Sequence, residues 1–333
     1  MKYLLVDTAN TFFRARHSAS RQADTWDRLG FAIHVTLASI NKSWRDQKAN
    51  HVIFCLEGRS WRKDFYAPYK KNREVARQAL TEKEQEENQL FWETFDNLQE
   101  FIKTKTNCTV LQHNELEADD LIAGWVEAHP NDDHVIVSSD SDFYQLLRPN
   151  VRQYNGITDE LHTLEGIFDK TGNIVLDKRT KEPKPAPNPY WLLFEKCIRG
   201  DSSDNVFSAY PGVRKKGTRN KVGLLEAFGD RKKKGYSWNN MMLQRWVDHN
   251  GDEHRVLDDY ERNKILIDLT AQPPEIKEKI AETILNSSKP KKNLQVGAQF
   301  LKFCGKYELK RLSDNANSIA TWLSASYPDQ EIL

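Results

Sequence analysis

Cysteine is scarce in this chain. The four in 333 residues, Cys55, Cys108, Cys197 and Cys304, stand far apart, with no CxxC spacing and no companion histidine pattern. That speaks against a zinc ribbon or a disulfide framework and leaves the thiols as small buried hydrophobes. Long apolar runs are missing too. The opening Met-Lys-Tyr-Leu-Leu-Val-Asp is far too short for a signal peptide or a membrane span, and no later segment approaches the ~20 apolar residues a span needs. A cytoplasmic chain with no membrane partner is expected. No sign of charge dominates, the formal net charge being +1, so any attraction for a polyanion must come from charge segregated along the chain. Internal repeats and low-complexity tracts are also lacking.

What is there suffices for a substantial core: 38% of residues are hydrophobic and 11% aromatic. Three short apolar runs end in acids. Tyr3 to Val6 ends at Asp7, Val52 to Leu56 at Glu57, and Val135 to Val137 in Ser138-Ser139-Asp140. They read as buried strands with a carboxylate at the C-terminal end. Helical patterns lie between them, including Phe31 to Trp44 and Leu90 to Ile102, and this alternation predicts an α/β fold with a mainly parallel central sheet flanked by helices. Ligands bind beyond the carboxyl ends of such strands, so the acids are predicted to converge where a site belongs. Residues 117 to 129 predict another helix, with Ala118, Leu121, Ile122, Trp125 and Val126 on one buried face and acids in its first turn. The Lys- and Pro-rich stretch Lys178 to Pro189 predicts a linker, dividing a core of residues 1–185 from a helical region of 186–333.

Beside Asp7 and Glu57 stand Glu117, Asp119 and Asp120; then Asp140 and Asp142 in Ser-Ser-Asp-Ser-Asp-Phe; then Asp201 and Asp204 in Arg-Gly-Asp-Ser-Ser-Asp-Asn. Hard oxygen ligands suit magnesium or manganese. Phosphodiester hydrolysis uses such ions in pairs roughly 3.5–4 Å apart to hold the attacking water, the phosphate and the leaving oxygen. Each group also has a plain structural reading. Asp7 can cap a helix beginning near Thr8, the acids of 117–120 can complement a helix dipole, Asp140 can cap a helix around Phe143 to Leu147, and Asp201 to Asp204 can be an exposed turn. All of them occurring together by accident is far less expected than any one.

Residues 59 to 77 hold seven basic side chains (Arg59, Arg62, Lys63, Lys70, Lys71, Arg73, Arg77) against Asp64 and Glu74, with Trp61, Phe65, Tyr66 and Tyr69 interleaved. Cations that track phosphates and rings that stack on bases suit a single strand. The alternative is a solvated amphipathic helix whose aromatics face the core.

In this order and spacing, Leu-Leu-Val-Asp7, Phe-Cys-Leu-Glu57, Trp61-Arg-Lys-Asp-Phe65, Tyr69-Lys-Lys-Asn-Arg73, Glu117-Ala-Asp-Asp120, Ser138-Ser-Asp-Ser-Asp-Phe143 and Arg199-Gly-Asp-Ser-Ser-Asp-Asn205 resemble the flap endonuclease or 5′-nuclease superfamily, most nearly its bacteriophage ribonuclease H branch. The resemblance implies a PIN-like 5′-nuclease core, a helical arch at about 59–90 and a helix–three-turn–helix element at about 198–230. It implies two magnesium ions, replaceable by manganese: one around Asp7, Glu57, Glu117, Asp119 and Asp140, a second around Asp142, Asp201 and Asp204, with Asp140 or Asp120 bridging through water. The family usually has aspartate where this chain has Glu57, whose longer side chain is expected to reach the metal directly or through a water.

The resemblance also implies that Lys70 contacts the scissile phosphate, and Lys70 and Arg73 are expected to stabilise transition-state charge. Asp7, Glu57, Asp119 and Asp140 complete the expected catalytic set, with Arg62, Lys63, Tyr69 and Lys71 as further nucleic-acid contacts. Nine cations between Arg214 and Lys234, of which Arg214, Lys215, Lys216, Arg219 and Lys221 come first, resemble the family's duplex-gripping element but form a longer and more basic loop. Such contacts are insensitive to sequence and strongly salt-dependent; a lysine-rich surface loop is the plain alternative. The implied activity is metal-dependent 5′ to 3′ exonuclease and flap endonuclease cleavage of duplex or branched DNA and RNA–DNA hybrid, removing RNA primers from lagging-strand fragments. A monomer is expected, with a single-stranded DNA-binding protein or a sliding clamp as implied partner. Two rivals stand beside it. A PIN-like single-strand ribonuclease would not need the long arch, and a non-catalytic branched-DNA-binding protein would have lost carboxylates.

Overall fold

The computed structural model of the chain describes residues 1–18 and 24–328, with no side-chain description for 16–18. The chain folds as two units: Met1–Arg59, Leu80–Pro187 and Glu275–Leu333 form the first, and Ser60–Ala79 with Asn188–Pro274 the second. The single cut expected near residue 185 is thereby corrected. Residues 60–79 leave the core because Tyr69 packs with Cys197, Val206, Leu266 and Ile267. The C-terminal residues rejoin it because Phe300, Phe303, Ile319 and Trp322 cover the sheet.

Seven strands build the first unit: β1 Lys2–Asp7, β2 His51–Cys55, β3 Thr109–Leu111, β4 Asp133–Val137, β5 Val151–Asn155, β6 Glu160–His162 and β7 Ile167–Phe168, in the order β3-β2-β1-β4-β5-β6-β7. The first five are parallel, and β6 and β7 are antiparallel additions. The three strands predicted from apolar runs are there. β1, β2 and β4 are buried on both faces, which is why they read as continuous Val/Ile/Leu runs. The chain runs from β1 outward to β2 and β3, then crosses back to lay β4 on the other side of β1. The strand order therefore reverses between β1 and β4, and this is where an open α/β sheet opens a crevice at its carboxyl ends.

Alternation along the strands sends Leu4, Val6, Val52, Phe54, Val135 and Val137 to one face. There they meet the helices Thr25–Gln47 and Glu82–Lys105 through Ile33, Leu37, Phe91, Phe95 and Leu98. Each such side chain contributes roughly 1.5–3 kcal/mol on burial. Both helices start where their sequence dictates: Asp24 accepts the amide of Asp27 at 2.8 Å, and Thr81 with Glu84 forms a capping box. On the opposite face lies the helix Ala118–Ala128, where Trp125 meets Tyr3 edge-on with ring centroids 5.3 Å apart.

The second unit is mainly helical: Pro189–Arg199, Leu224–Asp230, Tyr236–Met242 and Val256–Ile267, with a small hairpin of β8 Arg245–Val247 and β9 Glu253–Arg255. Asn188 caps the first of these helices at 3.1 Å, with proline in its first turn. Phe194, Ile198, Leu224, Trp238, Met241 and Val256 form its core. No helix among the described residues is long and apolar enough to cross a membrane.

Candidate active site

Parallel register places Asp7 of β1 beside Cys55 of β2, and Val6 beside Val137 of β4. The residues after those strands therefore emerge together. Asp7 is 4% exposed. Its Oδ1 accepts the amide of Asn10 at 3.3 Å, and its Oδ2 accepts the Ser138 hydroxyl at 2.8 Å. Asp7 thus caps the helix Thr8–Ser18 and is also held by the residue that follows β4.

Glu57 follows β2 by two residues, is exposed, and accepts the amide of Ala118 at 3.3 Å, at the start of the helix that carries Asp119. Its neighbour must be glycine. A Cβ on Gly58 would lie 2.0 Å from the carbonyl oxygen of His113 and 2.7 Å from that of Leu116, so only glycine lets the exit from β2 run against the 113–116 segment. Glu117 sits at the N-cap, 4% exposed, and Asp119 is half-buried in the first turn. Asp120 is fully buried and turns back to accept the Glu117 amide at 3.2 Å. Its Oδ2 thereby closes a helix cap.

Cys55 registers the convergence of these acids. Burial, and after it the charges of Asp7, Asp119 and Glu57, push its thiol well above the ordinary range. Beyond β4, Asp140 accepts the amide of Asp142 at 3.0 Å and so caps the 3-10 turn Ser141–Leu146.

Three supporting residues escaped sequence reasoning. Gln153 of β5, 1% exposed, donates to the carbonyls of Ser138 at 2.9 Å and Asp140 at 2.7 Å. Asn10 accepts from both the amide and the hydroxyl of Ser139, and the Ser138 hydroxyl accepts the Asp140 amide at 3.1 Å. The available signal was a glutamine in mid-strand, where a buried polar group needs partners.

Asp201 and Asp204 belong to the second unit. Asp201 is 9% exposed and sits in a turn closed by backbone bonds with Val206. Gly200 opens that turn at φ 77°, and a Cβ there would fall 2.3 Å from the Val206 carbonyl. Burial alone would raise the Asp201 carboxyl; hydrogen bonds from Lys196 at 2.7 Å and from Ser203 overcome it and hold the group below the usual aspartate value. Asp204 accepts from the Tyr69 hydroxyl at 2.9 Å and Arg73 at 2.6 Å, with Lys70 at 3.6 Å.

Two of the expected nucleic-acid contacts lie in the interior of the second unit. Arg62 is 1% exposed, its guanidinium over the Trp61 ring at 4.6 Å and its Nε donating to the Leu266 carbonyl at 2.8 Å. Tyr69 is 4% exposed and its ring belongs to the interior. Neither presents a face to a base. Lys63 pairs with Glu74 at 2.7 Å, and Lys71 is exposed. Arg214, Lys215, Lys216, Arg219 and Lys221 are all exposed. Their loop is closed by backbone bonds between Thr218 and Lys221, and the nearby acid Glu226 is engaged by the amides of Gly217 and Gly223. The positive charge of the loop is therefore left facing water.

Among the described residues no group of three or more His, Cys, Asp or Glu side chains is closed up as a metal cage. The donor set itself, carboxylates with neither thiolate nor imidazole among the expected ligands, fits a hard divalent cation.

A mainly parallel sheet with carboxylates at or just beyond the ends of β1, β2 and β4 defines an α/β protein whose site lies at the switch point. The chain belongs to the 5′-3′ exonuclease and flap endonuclease family: residues 2–172 match the family described as "5'-3' exonuclease, N-terminal resolvase-like domain". It is 28% identical over 240 residues to a DNA polymerase I of Rhizobium leguminosarum, covering 68% of this chain and 20% of that protein. To the ribonuclease H of phage T4 it is 29% identical over 189 residues, 54% of each. The chain thus spans about half or less of these relatives. A flap endonuclease of bacteriophage T5, solved as a complex with DNA and metal ions, shares the fold with a TM-score of 0.58 at 20% identity, over 86% of this chain and 98% of that one.

Proposed function

We propose that the chain is a metal-dependent 5′-nuclease with 5′ to 3′ exonuclease and flap endonuclease activity on DNA. RNA–DNA hybrid is the second substrate and removal of RNA primers the use. The observation that carries this reading is the Asp7–Ser138 bond across the β1–β4 switch point. It ties the acid of one strand end to the loop that presents Asp140. The expected cofactor is magnesium, two ions in number, with manganese as a substitute. Asp7, Glu57, Glu117, Asp119 and Asp140 are the proposed ligands in the first unit, with Asp142 nearby in sequence. When bound, such a cation supplies Lewis acidity and an activated water.

The chain's own residues do the rest. Ser138 orients Asp7, Gln153 and Asn10 hold the 138–140 loop, and Glu57 clamps the helix start that presents Asp119. In the second unit, Lys70 and Arg73 take phosphate charge, and the exposed 214–221 cations grip duplex backbone without reading sequence. Digestion of a 5′-labelled flap and a 5′-labelled RNA–DNA hybrid, with magnesium and with EDTA, tests the reading. Short 5′ products from both, only with metal, are expected; cleavage of unstructured RNA alone would replace the reading with the PIN-like one.

A further inference from the structure

Asp204 is met by two cations and a hydroxyl. The carboxylate is one-fifth exposed and is met by the guanidinium of Arg73 at 2.6 Å, the ammonium of Lys70 at 3.6 Å and the hydroxyl of Tyr69 at 2.9 Å. The backbone is tied at the same place: the Lys70 amide donates to the Asp204 carbonyl at 2.8 Å, Asn72 donates to the Ser202 carbonyl at 3.2 Å, and Asn205 donates to the Pro68 carbonyl at 2.7 Å. Lys70 itself is left-handed, with φ 53°, a conformation uncommon for residues other than glycine. The 66–73 segment is therefore stapled to the 200–205 turn through both backbone and side chain.

We infer that Asp204 is the resting partner of Lys70 and Arg73, holding both cations in place until a phosphodiester of the substrate takes them over. A phosphate that binds the two cations has Asp204 as its competitor, because like charges at this spacing repel. The Tyr69 hydroxyl and the backbone ties keep the segment in register while the ion pairs exchange. The role assigned to Asp204 is one of positioning and competition and is independent of any part it takes in holding a metal. It rests on the reading of Lys70 and Arg73 as phosphate-binding residues.

The test is the affinity for a flap oligonucleotide in EDTA, where neither catalysis nor metal loading intervenes. Asp204→Asn keeps an acceptor for the Tyr69 hydroxyl and removes the charge. Binding about two- to tenfold tighter is expected, consistent with losing exposed ion pairs of modest strength. In a background of Lys70→Ala with Arg73→Ala the gain should vanish. A gain of equal size in that background would reduce the effect to general repulsion between an acid and DNA and overturn the inference, as would no gain at all. Asp201→Asn, which removes a carboxylate paired elsewhere, serves as the control and should give no gain. Amide exchange over 66–79 in the free protein should quicken in Asp204→Asn; unchanged exchange counts against the staple. If Lys70→Ala with Arg73→Ala in the otherwise native chain leaves affinity untouched, it is the phosphate reading that fails.

Discussion

Ser138 and Asp7, 131 positions apart in sequence, are joined by a hydrogen bond of 2.8 Å in which the serine hydroxyl donates to Oδ2 of the carboxylate. Both groups are buried, and the same hydroxyl accepts the amide of Asp140. One side chain thus orients an acid on β1 and fixes the loop that carries an acid from β4. Ser138→Ala leaves every proposed ligand in place. Partners that orient ligands typically account for about 10–100-fold in activity or metal affinity. Turnover of a 5′-labelled flap should fall by that much, while affinity for the flap in EDTA stays within about twofold.

Gly58→Ala should destabilise the protein by roughly 3 kcal/mol, because both atoms met by the new methyl group are backbone carbonyl oxygens that cannot rotate away. The midpoint of urea unfolding reports it. The same change displaces Glu57 from the Ala118 amide, so turnover at permissive temperature should fall as well.

Three of the parallel strands, β1, β2 and β4, were legible because an apolar run that stops at an acid is a local pattern; the helices were legible in their interiors, Phe31 to Trp44 and Leu90 to Ile102, while their capped starts at Asp24 and Thr81 were not read. Convergence of the acids was legible because strand ends and carboxylates coincide in sequence. The parallel strand β5 and the antiparallel additions β6 and β7 were not, since Val-Arg-Gln-Tyr-Asn and Glu-Leu-His show no clean alternation. Arg62 beside Trp61 reads equally as a base-stacking pair or a buried cation over a ring, and the deciding partner, the Leu266 carbonyl, lies 204 positions away. The burial of Tyr69 likewise depends on distant residues, Cys197, Val206, Leu266 and Ile267. The structural cap and the metal ligand were posed as alternatives for Asp7 and Asp140, yet one carboxylate oxygen suffices for the cap.

Three histidines gather at the opposite end of the sheet from the acids. His51 and His134 are buried, and burial draws each down to about 4; His129, beside Tyr3 and Trp125, is lowered by burial too. Above the ordinary histidine value, folded and unfolded chains are both neutral there and stability is unaffected. As pH falls below about 6.5 the unfolded chain gains protons that the folded one refuses, so stability declines until about pH 4 and then levels. Each of His51 and His134 should cost about 2 kcal/mol by pH 5. Urea midpoints from pH 8 to 5 check this, and His134→Gln should flatten the slope relative to the native chain.

Lys215→Ala with Lys216→Ala should weaken binding of duplexes of unrelated sequence to the same extent. The slope of log affinity against log salt should shrink by about 0.9 for each phosphate that the variant no longer neutralises. Weakening confined to one sequence would contradict a backbone grip.

The central claim is that the acids at the β1–β4 switch point perform the cleavage, and the most direct measurement is single-turnover cleavage of a 5′-labelled flap by Asp140→Asn and Asp119→Asn, beside their affinities for the same flap. The account predicts that magnesium-dependent cleavage disappears in both while affinity is largely kept. Turnover equal to that of the native chain in both variants, with magnesium present, would contradict it.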